Sequence, residues 1–299
     1  PPTLAPIATL RVTTGGILQS DNASIGNTGE GSLHLDQGAK FQIGQQTNVG
    51  VAPQSQGVLW LDGENTSMQP SETKTPAVVT VGLNGEGHLK LSSGATATAR
   101  ILNIGRSSEE TVSSLSSDST GLVEASGSTS ILRVGELYIG GGKRRKIDPA
   151  FADGTGKLIV AQGAVVETGQ LHVYPKGSVE IGESHIEVTG TYDEETLPVE
   201  TVFEAGSKLV LTLYPSMKKP ALTAKDLTIS GANLELQIAE GFKPAPGTTL
   251  PLVSFEFRDT DQQFEGKAEG DVLDLGSFGL RINYGRDQIT GTVVARPQK

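Results

Sequence analysis

The chain has no cysteine among its 299 residues. That absence excludes a disulfide framework, a thiolate metal site and a cysteine nucleophile. Charged residues reach only 19% and hydrophobic ones 36%, both below the usual shares for globular domains. No apolar run approaches the ~20 residues of a membrane helix, so no segment is expected to insert directly into a bilayer. Basic residues are the scarcer charge: 24 Lys and Arg against 34 Asp and Glu give a net charge of −10. This argues against nucleic acid or an anionic membrane as a main partner. No signal peptide is visible, and the opening "PPTLAPIATL" reads as the edge of a strand pattern in a mature or trimmed chain.

Glycine takes up much of the difference, with 38 residues, and Ser and Thr are plentiful. Many turn formers and few helix formers point to an all-β chain. The stretch "GHLKLSSGATATARILNIG", residues 87–105, alternates Leu89 with Leu91, turns at Gly94, then alternates into Ile104 and stops on Gly105. Copies of it open at Ala8, Gly31, Gly57, Gly87, Gly121 and Gly156, and close at Ile25, Val49, Val81, Ile104, Ile139 and Val173. Five copies take 17 or 18 steps from opening to closing, whereas the Gly57 copy takes 24, so its extra residues lie within "SMQPSETKTP". Successive openings are 23, 26, 30, 34 and 35 residues apart. A constant core with variable spacers is what a solenoid coil with loop insertions produces.

Apolar residues two apart share one strand face, and that face must be buried. One coil has too little area to do so. Coils stacked at ~4.8 Å pair their backbones in parallel and lay Leu on Leu along the axis, while the recurrent Gly supplies corners at positive φ. The expected fold is all-β: a single right-handed parallel β-helix (β-solenoid), with its hand set by the general crossover preference. Beyond residue 177 the repeat decays. "EGFKPAPGTTLPLVSFEF" brings Pro and clustered Phe, and "FGLRINYGRDQITGTVV" reads as a terminal hairpin. A solenoid end needs cover for its open core and unpaired edge. Residues 1–189 therefore read as solenoid coils and 190–299 as final coils with a C-terminal cap.

"GKLIVAQGAVVETGQLHV" and "GHLKLSSGATATARILNIG" resemble the Gly-rich repeats of bacterial autotransporter passengers, of the autotransporter-associated β-strand type. "LTISGANLELQIAEGFKPAPGTTLPLVSFEF", with the later "YGRDQITGTVVA", resembles the segment that closes many such repeat regions. The resemblance spans nearly the whole chain. It implies an exported β-helix, extracellular or associated with the bacterial outer membrane, that acts as an adhesin or a structural stalk.

Many β-helix proteins are polysaccharide lyases or glycoside hydrolases, so the alternative function is a polysaccharide-processing enzyme that uses acids or histidines as catalytic groups. Asp259 and Asp261 fall in the expected cap, Asp193, Glu194 and Glu195 read as a solvated turn, and "GEGHL" around His88 lacks a second flanking Gly. His34 and His172 lie between apolar neighbours, so both should point outward. Glu183, His185 and Glu187 alternate on one face, a weak metal-binding pattern that reads better as a polar strand face. The expectation is a non-enzymatic protein with no catalytic residue, cofactor or metal.

Aligned coils place Ser24, Asn48, Thr80, Asn103, Tyr138 and His172 in one outer column, and Arg11, His34, Trp60, Lys90, Glu124 and Ile159 in another. Trp60, the one Trp, is expected to be exposed, and exposed aromatics beside polar ladders suit glycans or host and cell-surface proteins. The alternative is that the long inserts cover Trp60 and Tyr138. Those inserts, "RSSEETVSSLSSDST" and "GGKRRKIDPAFADGT", leave neighbouring coils at one corner and carry opposite charge, so they should lean together. The candidate binding surface is Trp60, Tyr138 and His172 with Lys143, Arg144 and Arg145.

Overall fold

A computed structural model describes residues 7–71, 77–107, 119–143, 154–192, 195–196, 200–259 and 261–296. Among them every regular element is a strand. The alternation that opens each repeat becomes one strand of a first sheet. Nine strands stack there in chain order, all parallel: Ile7–Val12, Glu30–Asp36, Gln56–Asp62, Glu86–Ser92, Thr120–Ser126, Thr155–Ala161, Gly177–Ile181, Lys208–Leu213 and Asn233–Ile238. The repeat openings share one register column, Ala8 beside Gly31, then Gly57, Gly87, Gly121, Gly156 and Gly177.

The second half of each coil supplies a second sheet, through Ile17–Ile25, Lys40–Val49, Thr96–Ile104, Ile131–Ile139 and Val165–Val173. Its ladder skips a residue at Arg100, Gly135 and Gly169. There the alternation changes phase: Ala97 and Ala99 are buried before the gap, Leu102 and Ile104 after it. A strand that turns a corner does this, so each coil has three sides around one apolar core. The extra residues of the Gly57 copy fall between Ser67–Pro70 and Val78–Val81, which sit side by side on the same neighbouring strand.

The glycines that open and close a coil explain each other. Gly105 closes at φ 68°, and a Cβ there would lie 1.9 Å from the Thr155 carbonyl oxygen. A Cβ on Gly156 would lie 2.3 Å from the Gly140 nitrogen and the Ile104 oxygen. The closing glycine therefore needs both its dihedral and its bareness, while the opening glycine needs only bareness, for the close approach.

The two ends differ. Leu10 shares the column of Leu33 and Leu59, which are 4% and 0% exposed, yet Leu10 is 51% and Ile17 62% exposed. At the other end Thr249–Ser254 pairs antiparallel with Gln288–Val294, which continues to Gly279–Tyr284 and Val272–Asp274. Phe242, Phe255, Phe264 and Phe278 join the core there, Phe242 meeting Phe278 edge to face.

Candidate functional site

In a parallel stack the outward positions form columns along the axis, spaced at ~4.8 Å. Arg11, His34, Trp60, Lys90, Glu124 and Ile159 stand in successive register on the first sheet. Ser24, Asn48, Thr80, Asn103, Tyr138 and His172 do so on the second. Both columns follow the spacing of the repeat. The exposure expected of their aromatic members is what changes.

Trp60 points outward but is half-buried rather than exposed. Its ring stacks on His34 with centroids 4.4 Å apart and 9° between planes, and the Lys90 ammonium lies 4.9 Å from the ring centroid. The indole Nε1 donates to Ser92 Oγ at 3.0 Å, and that hydroxyl donates to Asp62 at 2.7 Å. With His34 stacked on the ring and Lys90 over it, the π system faces neighbours along the axis, so no open platform for a sugar face is formed. One coil away, Arg11 Nε donates to Asp36 at 2.9 Å. Hydrogen bonds from Thr13 and then Arg11 hold the Asp36 carboxyl below the ordinary carboxylate range.

Tyr138 follows the alternative, cover by an insert, being 1% exposed. After the closing Gly140 the chain doubles back over its own outer face. Asn103 fastens it there: Lys143 N donates to Asn103 Oδ1 at 2.9 Å, and Asn103 Nδ2 donates to the Lys143 carbonyl at 2.8 Å. Lys143 then reaches over the Tyr138 ring, 5.3 Å from its centroid, and pairs with Glu136 at 2.9 Å. The Tyr138 hydroxyl donates to the same Glu136 oxygen at 2.7 Å. Burial, and then that bond to an acidic partner, push the Tyr138 pKa far above its ordinary value. His172 stacks on Tyr174 with centroids 4.2 Å apart and contacts Glu204 at 2.6 Å. The start of the insert lies over this face, so a buried Tyr138 and a half-buried His172 and Lys143 form a packed cluster rather than an open surface. Arg144 and Arg145, and the contact expected between the two charged inserts, lie outside the described residues.

The acid and histidine candidates are dispersed. His88 meets Glu124 at 2.8 Å. Glu183 accepts from Ser216 at 2.8 Å, His185 Nδ1 donates to the Pro220 carbonyl at 2.9 Å, and Glu187 is exposed. Among the described residues no three His, Asp or Glu are placed to hold a metal ion. Asp193 and Glu194 lie outside the described residues. A cleft of about 400 Å³ does open beside His185, between Glu183, Tyr214 and Lys218.

A larger cleft, about 780 Å³, lies near the C-terminal end, bounded by Asp226, Thr228, Glu256, Phe257, Asp259 and Arg286. Phe257 stands beside Asp226 in register and is 68% exposed, the most exposed large apolar side chain among the described residues. Next to it Arg258 is clamped between the rings of Phe255 and Tyr284, 5.4 and 5.3 Å from their centroids. Arg258 Nη1 donates to the Asp259 carbonyl at 3.0 Å and to the Gln262 carbonyl. The Tyr284 hydroxyl donates to the Lys267 carbonyl at 2.8 Å and accepts from Phe264 N at 3.1 Å, and burial raises its pKa. This wall is therefore rigid. Sequence reasoning missed the cleft by reading the clustered Phe only as part of a cap. Phe255 and Phe257 lie two apart, so a straight strand would bury both, but Phe255 is 4% exposed.

No protein-family model matches the chain, and no curated protein matches it in sequence.

Proposed function

We propose that this chain is the β-solenoid stalk of an exported, autotransporter-passenger-like surface protein, and that it is non-enzymatic. In this reading the solenoid is right-handed, following the crossover preference of parallel strands. Residues 190–299 supply its final coils and a cap, for which the antiparallel strands and the clustered Phe provide the material.

One observation carries the reading: outward polar side chains are bonded to the next coil. Arg133 meets Glu167 at 2.7 Å, Lys157 meets Glu180 at 2.8 Å, and Lys208 meets Glu235 at 3.1 Å. Gln56 reaches Glu86 and Ser254 reaches Thr223, both at 3.1 Å. An exposed pair contributes only ~0–1 kcal/mol. Repeated from coil to coil, such pairs nevertheless tie each coil to the next, as a shaft requires. Nine strands on the first sheet at ~4.8 Å spacing give a shaft of about 40 Å.

Antibodies against the chain test the display it requires. Labelling of intact, unpermeabilised source cells, or recovery of the chain from their medium, is the expected result. Confinement to the cytoplasm would overturn the reading.

A further inference from the structure

Along the shaft, many outward polar side chains bond to the next coil. Several that line the C-terminal cleft have no such bond among the described residues. Asp226, Thr228, Glu256 and Arg286 line it, and the structure gives none of their side chains a hydrogen bond or ion pair among the described residues. Asp259 uses one carboxylate oxygen, to accept from Gln262 Nε2 at 3.1 Å. Unused donors and acceptors thus converge on a concavity whose rim carries the bare ring of Phe257.

The composition of the lining selects the ligand. Its charged side chains are three carboxylates, on Asp226, Glu256 and Asp259, and two guanidinium groups, on Arg258 and Arg286. An anion would meet the carboxylates and a cation the guanidinium groups, so a strongly charged ligand of either sign meets repulsion. A neutral polyhydroxylated ligand suits both. Each hydroxyl donates to a carboxylate and accepts from a guanidinium or the Thr228 hydroxyl. A pyranose ring also has one face of C–H groups, which needs an exposed aromatic surface, and Phe257 offers one. Unlike Trp60, it has no aromatic or cationic neighbour on its faces among the described residues. The volume, about 780 Å³, falls in the ~300–1,000 Å³ range of small-ligand sites.

We infer that this cleft is a saccharide-binding site, in which Phe257 stacks on a neutral hexose unit while Asp226, Glu256, Asp259 and Arg286 bond its hydroxyls. The chemistry of the cleft holds wherever the chain is displayed, so the site stands independently of the stalk role.

The test is a glycan array carrying neutral glucan, mannan and galactan oligosaccharides beside sulfated and uronic ones, probed with the full chain, followed by calorimetry on any neutral hit. The Phe257→Ala, Asp226→Asn and Trp60→Ala variants are run in parallel. Phe257 and Asp226 are exposed, so their replacement leaves the core intact. The expected result is binding of at least one neutral oligosaccharide. Phe257→Ala and Asp226→Asn should each weaken it by about tenfold or more, and Trp60→Ala should not change it. The inference is overturned by silence of all neutral oligosaccharides at about 1 mM, by binding confined to anionic glycans, or by binding that survives Phe257→Ala.

Discussion

Single residues in this molecule are constrained by the coil next door more than by their own strand. Gly105 and Gly15 have nearly the same dihedral, φ 68° and 70°, but a Cβ on Gly15 would meet nothing within 4 Å. Gly15→Ala should therefore cost only the left-handed strain of about 1–2 kcal/mol. Gly105→Ala adds a backbone collision and should cost about 4 kcal/mol or more. Urea midpoints of the two variants measure the contrast, and equal shifts would refute it. Asp36 gives a second prediction. Its carboxyl is held low by Thr13 and Arg11, so its stabilising effect is present above the ordinary carboxylate pKa. That effect is lost as pH falls through the depressed native value. Arg11→Ala should move the Asp36 titration upward, toward that of a free carboxylate, as read from its side-chain carbon shift in an acid NMR titration. Column positions of residues such as Trp60 were legible in the sequence because parallel stacking preserves them. Exposure was not: the column put His34 and Lys90 beside Trp60, but not the side-chain angles that stack one on its ring and lay the other over it.

Elements show the same division. The opening strand of each coil could be read from its paired apolar residues, and the closing one, in five of the six copies, from its Ile or Val before Gly. The middle side could not. Its inward residues range from Phe41 and Ile43 through Met68 to Ala97 and Ala99, all buried yet unlike in size. The corner that shifts their phase has no residue signature shared by Arg100, Gly135 and Gly169. The same kind of shift hid Phe257 and with it the cleft. Cover of Tyr138 by an insert was legible as one of two alternatives, but the fastening of Lys143 to Asn103 that provides it was not. At the first coil, an apolar column reaches solvent. Leu10 is 51% exposed where Leu89, in the same column, is 0%. Leu89→Ala should lower stability by about 2–5 kcal/mol, whereas Leu10→Ala should cost about 1 kcal/mol or less. Denaturant titrations of both decide it; similar losses would mean that the first coil is packed as tightly as the inner ones.

Over the whole molecule, the chain runs across the axis while the ladder hydrogen bonds run along it. The consequence is mechanical. When its two ends are pulled apart, the coils are loaded in series, and each can give way without disturbing the covalent path of the next. Repeat openings lie 23 to 35 residues apart, so each failure should release roughly 80 to 120 Å of extended chain. Optical-tweezer traces should show that staircase, beginning at the loosely packed first coil and ending at the aromatic-packed last one. A single cooperative rip would contradict it. A molecule built this way yields by degrees, lengthening under strain while the far end keeps its hold.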